Sequence, residues 1–287
     1  MVVFADGPAV SGPNGKFSVE GGKYDDDQSI LALGSYTIPL GHSFGLQVDG
    51  AVGRIDKDML GGGGAHLFTR DPSKYLFGVY GSFHQWNGIT IWRSAAEAEL
   101  YVNRFSLSGL AGFEGVDVPT FSDGLQVLNT DDDHFFGHVD LAYYLIDDLK
   151  IYGGYRYINE TSLGAAGAEY LLRDHGSPIS LFAKATFGDN DYDRITVGLK
   201  AYFGAEASKS LMSRHRTEDP QNYTPVFPVI VMSNAMSNAP TNQCVGRTVT
   251  AGGRPGFRGN SHYDGLAGCT CPNNWVLTQQ STTYTCQ

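Results

Sequence analysis

Some side chains have the types and spacing that invite chemistry. His134, His138 and Asp140 share one face of an alternating segment, residue types suited to a metal site or a general base. An extended chain rises about 3.3 Å per residue, so His134 and His138 stand ~13 Å apart, too far to ligate one ion. No serine sits in a Gly-x-Ser-x-Gly setting, so these histidines have no recognisable nucleophile to activate. A serine from a neighbouring strand is the enzymatic alternative. The simpler expectation is a histidine hydrogen-bonded to a carboxylate, and no enzyme.

Gly61–Gly64 lacks the Gly-Lys-Ser/Thr of a phosphate loop and is expected to loosen a turn or make room for neighbours. Asp189-Asn190-Asp191-Tyr192-Asp193 opens like a calcium loop, but Arg194 occupies the glycine position and Lys200 that of the bidentate glutamate. Neither motif implies a cofactor or a bound metal. Together with Asp25–Asp27 and Asp131–Asp133, the second forms a set of acidic loop tips expected on one rim. Divalent cations bridging those tips to anionic lipid headgroups are the sharper reading, and ordinary solvated loops the plainer one.

All four cysteines, Cys244, Cys269, Cys271 and Cys286, follow residue 243. An even number in a short Gly-rich tail points to disulfides in an oxidising compartment. Direct linkage across Cys269-Thr270-Cys271 is strained, leaving 244–269 with 271–286, or 244–271 with 269–286. One Cys-x-Cys pair and two isolated cysteines fit the zinc alternative badly.

The elements that must position these groups are strands. No stretch approaches the ~20 consecutive apolar residues of a spanning helix. From Lys16 to Phe203 the chain alternates with a period of two. Ile195, Val197, Leu199, Ala201 and Phe203 oppose Arg194, Thr196, Gly198, Lys200 and Tyr202. Twelve strands are expected, at about 16–24, 28–38, 43–54, 62–69, 75–84, 89–102, 104–115, 133–146, 149–158, 163–173, 179–188 and 192–203. Short polar turns alternate with more variable links, including Ile55–Gly61 and Val116–Asp132. Aromatics near the strand ends (Tyr75, Phe77, Phe83, Trp86, Trp92, Tyr155, Tyr157, Tyr192 and Phe203) read as interfacial girdles.

One face of these strands collects ionised side chains. Glu20, Asp49, Glu97, Glu99, Glu114, Asp140 and Glu169 are joined by Arg93, Lys150, Arg156, Lys184, Arg194 and Lys200, with His138 among them. A soluble sandwich could not bury so many charges without a large desolvation cost, whereas a watered barrel lumen can hold them. The fold class expected is therefore all-β: a closed antiparallel up-and-down transmembrane barrel. The alternative is a soluble sandwich or propeller, although no blade-length repeat is visible.

The rest of the chain divides into an N-terminal extension (1–15), a polar, Pro-containing linker (204–243) and a small Cys-rich module (244–287). Ser208–Arg216 could form a short helix that Pro220 stops. Val229–Met232 could add a strand or a plug element, but the prolines around it favour a plain extended connection. A net charge of −10 argues against a nucleic-acid partner. The opening Met1-Val2-Val3-Phe4 has neither a basic nor a long apolar stretch, which implies that an export signal has been removed.

The entry Ala9–Lys16 and the closing strand Ile195–Phe203, with its terminal aromatic, resemble the small outer-membrane β-barrel proteins of Gram-negative bacteria, porin-like members included. The resemblance covers about two-thirds of the chain and is architectural. It implies a bacterial outer-membrane location, with membrane lipid around the barrel. An even strand number then puts both barrel ends, and the disulfide-stapled tail, in the periplasm. The expected function is a narrow passive pore for small hydrophilic solutes. The rival is a non-conducting barrel anchoring the tail to cell wall or a periplasmic partner, and a membrane-embedded hydrolase comes third.

Overall fold

The computed structural model describes residues 7–24, 27–86, 88–117, 133–158, 160–172, 178–188, 193–204, 206 and 208–223, and the backbone of three short strands nearer the C-terminus. Its strands are β1 (Asn14–Tyr24), β2 (Asp27–Leu40), β3 (Phe44–Ile55), β4 (Asp58–Asp71), β5 (Tyr75–Trp86), β6 (Ile89–Val102), β7 (Phe105–Asp117), β8 (Asp133–Ile146), β9 (Leu149–Ile158), β10 (Thr161–Leu172), β11 (Ile179–Gly188) and β12 (Asp193–Phe203). Each pairs with its neighbours in sequence, and β1 pairs antiparallel with β12, from Gly15 opposite Phe203 to Tyr24 opposite Arg194. The sheet therefore closes as an all-β, up-and-down barrel of twelve strands.

Alternation decides which side chains face out. Ile195, Val197 and Leu199 are 60%, 61% and 55% exposed, while Arg194 and Thr196, which alternate with them, are buried. Exposed apolar side chains recur on every strand from Phe17 and Val19 on β1 to Phe203 on β12. In water such a surface would be costly, because each exposed Å² of apolar area carries about 25 cal/mol. Aromatic rings sit outward near both rims. Tyr36, Phe44, Phe77, Phe105 and Tyr170 lie towards the rim that holds the barrel ends, and Phe83, Trp92, Phe113, Phe135 and Phe187 towards the other. Trp86 is a correction to the girdle reading, because it faces inward and is buried. Tyr192 lies outside the described residues.

The link expected across Ile55–Gly61 is a second correction. It is a two-residue turn, Asp56-Lys57, and β4 runs straight through Gly61–Gly64. Asp56 and Asn103 hold φ of 50° and 52°, a left-handed conformation that Asp and Asn tolerate in tight hairpins.

The barrel continues into α1 (Leu211–Thr217). Ser210 caps it, its hydroxyl accepting from the Ser213 amide at 3.2 Å, and three basic residues fill the last turn. Seven residues are too few to hold a helix unaided, so tertiary contacts must hold it. A separate compact unit contains the antiparallel sheet β13 (Gln243–Val245), β15 (Thr283–Cys286), β14 (Leu277–Gln280), in that order. Cys244 and Cys286 lie on its strands, Cys269 and Cys271 lie outside the described residues, and the pairing of all four stays an expectation from sequence.

Candidate functional site

The lumen wall is built from the inward positions of all twelve strands, and the ionised residues singled out in the sequence occupy such positions. Most stand in short-range pairs. Arg93 on β6 reaches Glu114 on β7 at 2.8 Å, and Arg156 on β9 reaches Asp140 on β8 at 2.6 Å. Lys200 on β12 contacts Glu169 on β10 at 2.8 Å. Glu20 on β1 takes two cations, Lys184 from β11 and Arg194 from β12, at 2.8 and 2.7 Å. Glu99 accepts from the Tyr101 hydroxyl, and Lys150 lies 5.7 Å from the centre of the Tyr152 ring. Such pairing offsets the desolvation that an inward charge suffers.

Asp49 and Glu97 share a residue that sequence reasoning missed. His66, wholly buried on β4, places Nδ1 2.8 Å from Glu97 and Nε2 3.0 Å from Asp49. The histidine bonded to carboxylate is therefore His66 and not His138. Asp140, two residues from His138, is engaged by Arg156, and His138 instead packs against Phe136 and Tyr223. The signal was present in the run Ala65–Arg70, where His66, Phe68 and Arg70 alternate inward. The apolar Phe68 at an inward position hides it.

Further inward positions carry Lys16, Gln47, Arg70, Tyr144 and Tyr202, none of which the sequence singled out as lumen-lining. Towards the rim away from the barrel ends the wall turns apolar, with Tyr24, Ile55, Leu60, Ile89 and Leu163 inward and buried.

The segment after β12, assigned in sequence to a linker, turns back into the barrel as far as the described chain runs. Helix α1 is tied to the rim turns. The amide of Met212 donates to the Asp147 carbonyl at 2.9 Å, and Arg216 Nη2 to the Phe105 carbonyl at 2.9 Å. Arg214 is buried, donating to the Glu206 carbonyl at 2.7 Å and lying 3.4 Å from Glu218. The N-terminal segment joins from the side, the Ser11 amide donating to the Thr217 carbonyl at 2.9 Å.

Beyond the helix the chain descends along the wall. Lys16 Nζ pairs with the Asp219 carboxylate and donates to the Pro220 carbonyl at 2.6 Å. Asn222 bonds to Ser35, and Tyr223 lies among His66, Tyr80 and His138 with ring centres 5.9, 5.2 and 5.6 Å away. Beside this segment remains a cavity of ≈ 150 Å³, bounded by Lys16, Lys150, Lys184, Lys200, Glu169 and Tyr202 on the wall and by His215, Asp219 and Tyr223 on the inserted chain.

His215 shows how dry the contact is. The Tyr202 hydroxyl donates to Glu169 at 2.6 Å, leaving its oxygen to accept from His215 Nε2, 3.3 Å away. The Tyr144 hydroxyl then donates to the bare Nδ1 at 2.8 Å, so the network assigns a neutral imidazole. Burial, with Lys150 and Lys200 nearby, pushes its pKa well below the ordinary 6.5, although Glu169 pulls the other way. Glu218 is shifted upward by burial, an effect that Lys209 and Arg214 only partly offset.

Among the described residues no cluster of His, Cys, Asp and Glu is arranged to hold a metal ion. The acidic tips at Asp25–Asp27, Asp131–Asp133 and Asp189–Asp193 lie largely outside the described residues.

Fold and wall together define the class: a closed twelve-strand barrel, apolar outside and ionised within. No family model matches the sequence. No curated protein matches it. Among solved structures it is similar to the KdgM porin, at 11% identity and a TM-score of 0.48, covering 66% of this chain and 99% of that one. It is likewise similar to an outer-membrane channel from Pseudomonas putida F1, at 11% identity and a TM-score of 0.48, over 70% of this chain and 99% of that one. The Acinetobacter baumannii outer membrane protein Omp33 matches at 12% identity and a TM-score of 0.40, over 67% of this chain and 97% of that one.

Proposed function

We propose that the chain is an outer-membrane barrel forming a narrow passive pore for small hydrophilic solutes, occluded in the conformation described by its own residues 208–223. One observation carries the reading: apolar side chains cover the outside of a barrel whose inner wall is ionised and borders a cavity lined in part by charged side chains. Lipid satisfies the first surface and water the second. A twelve-strand barrel encloses a bore narrower than that of a porin with about 16–18 strands, so the solutes are small. The rim holding both barrel ends faces the periplasm, and with it the Cys-rich tail, whose partner is cell wall or a periplasmic protein. No covalent chemistry is assigned to the lumen.

The rival reading, a non-conducting anchor for that tail, is favoured by the pairing of the wall charges and by the inserted segment. Planar-bilayer recording separates the two. The pore reading expects rare steps from the whole chain and frequent ones from a chain ending at Gly204. Silence from both, with the barrel shown to be folded, establishes the anchor.

A further inference from the structure

The inserted segment is held partly by a buried ion pair. The side chains of Lys16 and Asp219 are 8% and 2% exposed, and Lys16 also binds the Pro220 carbonyl. The ≈ 150 Å³ cavity beside them is bordered by three more ammonium groups, that of Lys150 and those of Lys184 and Lys200, which Glu20 and Glu169 already engage, and by the carboxylates of Glu99, Asp140 and Glu169. At about 30 Å³ per water, that volume holds a few waters or one small anion. The Asp219 carboxylate is thus an anion that the chain itself supplies to a wall rich in lysine.

A buried ion pair holds less tightly than its short distance implies, because both partners have given up hydration. Removing Asp219 alone would strand the Lys16 charge. Exchanging it for another anion would not: Lys16 stays neutralised while Asp219 recovers its water. An anion with several charged groups has a further advantage, since it can reach Lys16 and the neighbouring lysines together.

Resting on the pore reading, we propose that residues 218–223 are a releasable stopper, and that small multivalent anions bearing carboxylate or phosphate groups open the lumen by taking the place of Asp219 against Lys16. The site vacated is then the pore's anion-binding site.

Amide hydrogen exchange over residues 211–223 of the whole chain in lipid vesicles tests this, in sodium chloride, citrate or pyrophosphate at equal ionic strength. Exchange is expected to run tenfold or more faster in citrate, pyrophosphate or both than in chloride, and the anion that acts tells carboxylate from phosphate. Asp219→Asn, close in shape and outside the barrel strands, is expected to exchange fast in chloride alone. Lys16→Gln is expected to exchange fast and to ignore the anion. Equal exchange of the wild-type chain in all three salts overturns the proposal, as does an Asp219→Asn chain as protected as the wild type. Exchange does not depend on conduction. Release without channel steps leaves the stopper standing and removes the pore, while steady conduction with a protected segment does the reverse.

Discussion

Glu20, on the first strand, accepts from Lys184 at 2.8 Å and from Arg194 at 2.7 Å, side chains of the last two strands. The barrel closes where β1 meets β12, so this carboxylate bridges the seam on its inner side. Its side chain is fully buried and that of Arg194 nearly so, whereas Lys184 is a third exposed and contributes less. Glu20→Ala leaves a buried guanidinium uncompensated and is expected to cost roughly 3 kcal/mol. Urea unfolding in vesicles measures it, and a loss under about 1 kcal/mol would show the seam is held by backbone pairing alone.

Val197 lies opposite Gly21 and Ala183 near the middle of its strand, facing outward. With lipid there, Val197→Arg is expected to cost about 2–4 kcal/mol of folding stability in bilayers. With water there, the change would be nearly neutral, as surface substitutions usually are. The same urea titration reads the difference.

His215 gives the inserted segment a pH dependence. Facing it are Tyr144, Tyr202, Glu169, Lys150, Lys200 and Lys16, and its docked pKa lies below 6.5. Above that value the imidazole is neutral whether docked or released, and the docked state keeps its full stability. As the pH falls below 6.5, the released segment takes a proton that the docked one resists, so docking weakens progressively. Glu218 acts in the opposite sense nearer its ordinary value of 4.5, because its docked pKa is raised. Exchange of residues 211–217, corrected for intrinsic rates, is expected to quicken from pH ~7.5 to ~5.5 and to lose that response in His215→Gln. An equal response in the variant would remove His215 from the account.

Gly154 sits opposite Asp140, and a Cβ there would collide with the carboxylate that Arg156 holds. Gly154→Val is expected to break the Asp140–Arg156 pair and destabilise the barrel by about 1–3 kcal/mol, as overpacking of a fitted wall does. Gly153→Val, on the outward face where a Cβ meets only the Ala165 carbonyl oxygen, at an ordinary 4.0 Å, is the control and is expected to be neutral within about 0.5 kcal/mol.

Where one face must meet lipid and the other an ionised lumen, alternation is visible in the residues themselves. Ile195–Phe203 and Phe135–Leu145 were legible for that reason. The fourth strand was legible from 62 onward, but its first residues, Asp58–Gly61, were not, since the glycine run that begins there has no side chains to alternate and the start of a strand looked like a link. His66 was hidden by Phe68, and Trp86 looked like a girdle residue because an aromatic at a strand end suits either face. The inserted segment was hardest to foresee. Its docking depends on Lys16, Ser35 and His66, each remote in sequence and brought to one place only when the barrel closes.

Spin labels walked along β12 from Asp193 to Phe203, in lipid vesicles, measure most directly which face meets lipid. Labels at 195, 197 and 199 should be reached by oxygen dissolved in the bilayer, and those at 194, 196 and 200 should not. Uniform oxygen access along the strand, or access with the opposite phase, would contradict the barrel's membrane placement and the pore built on it.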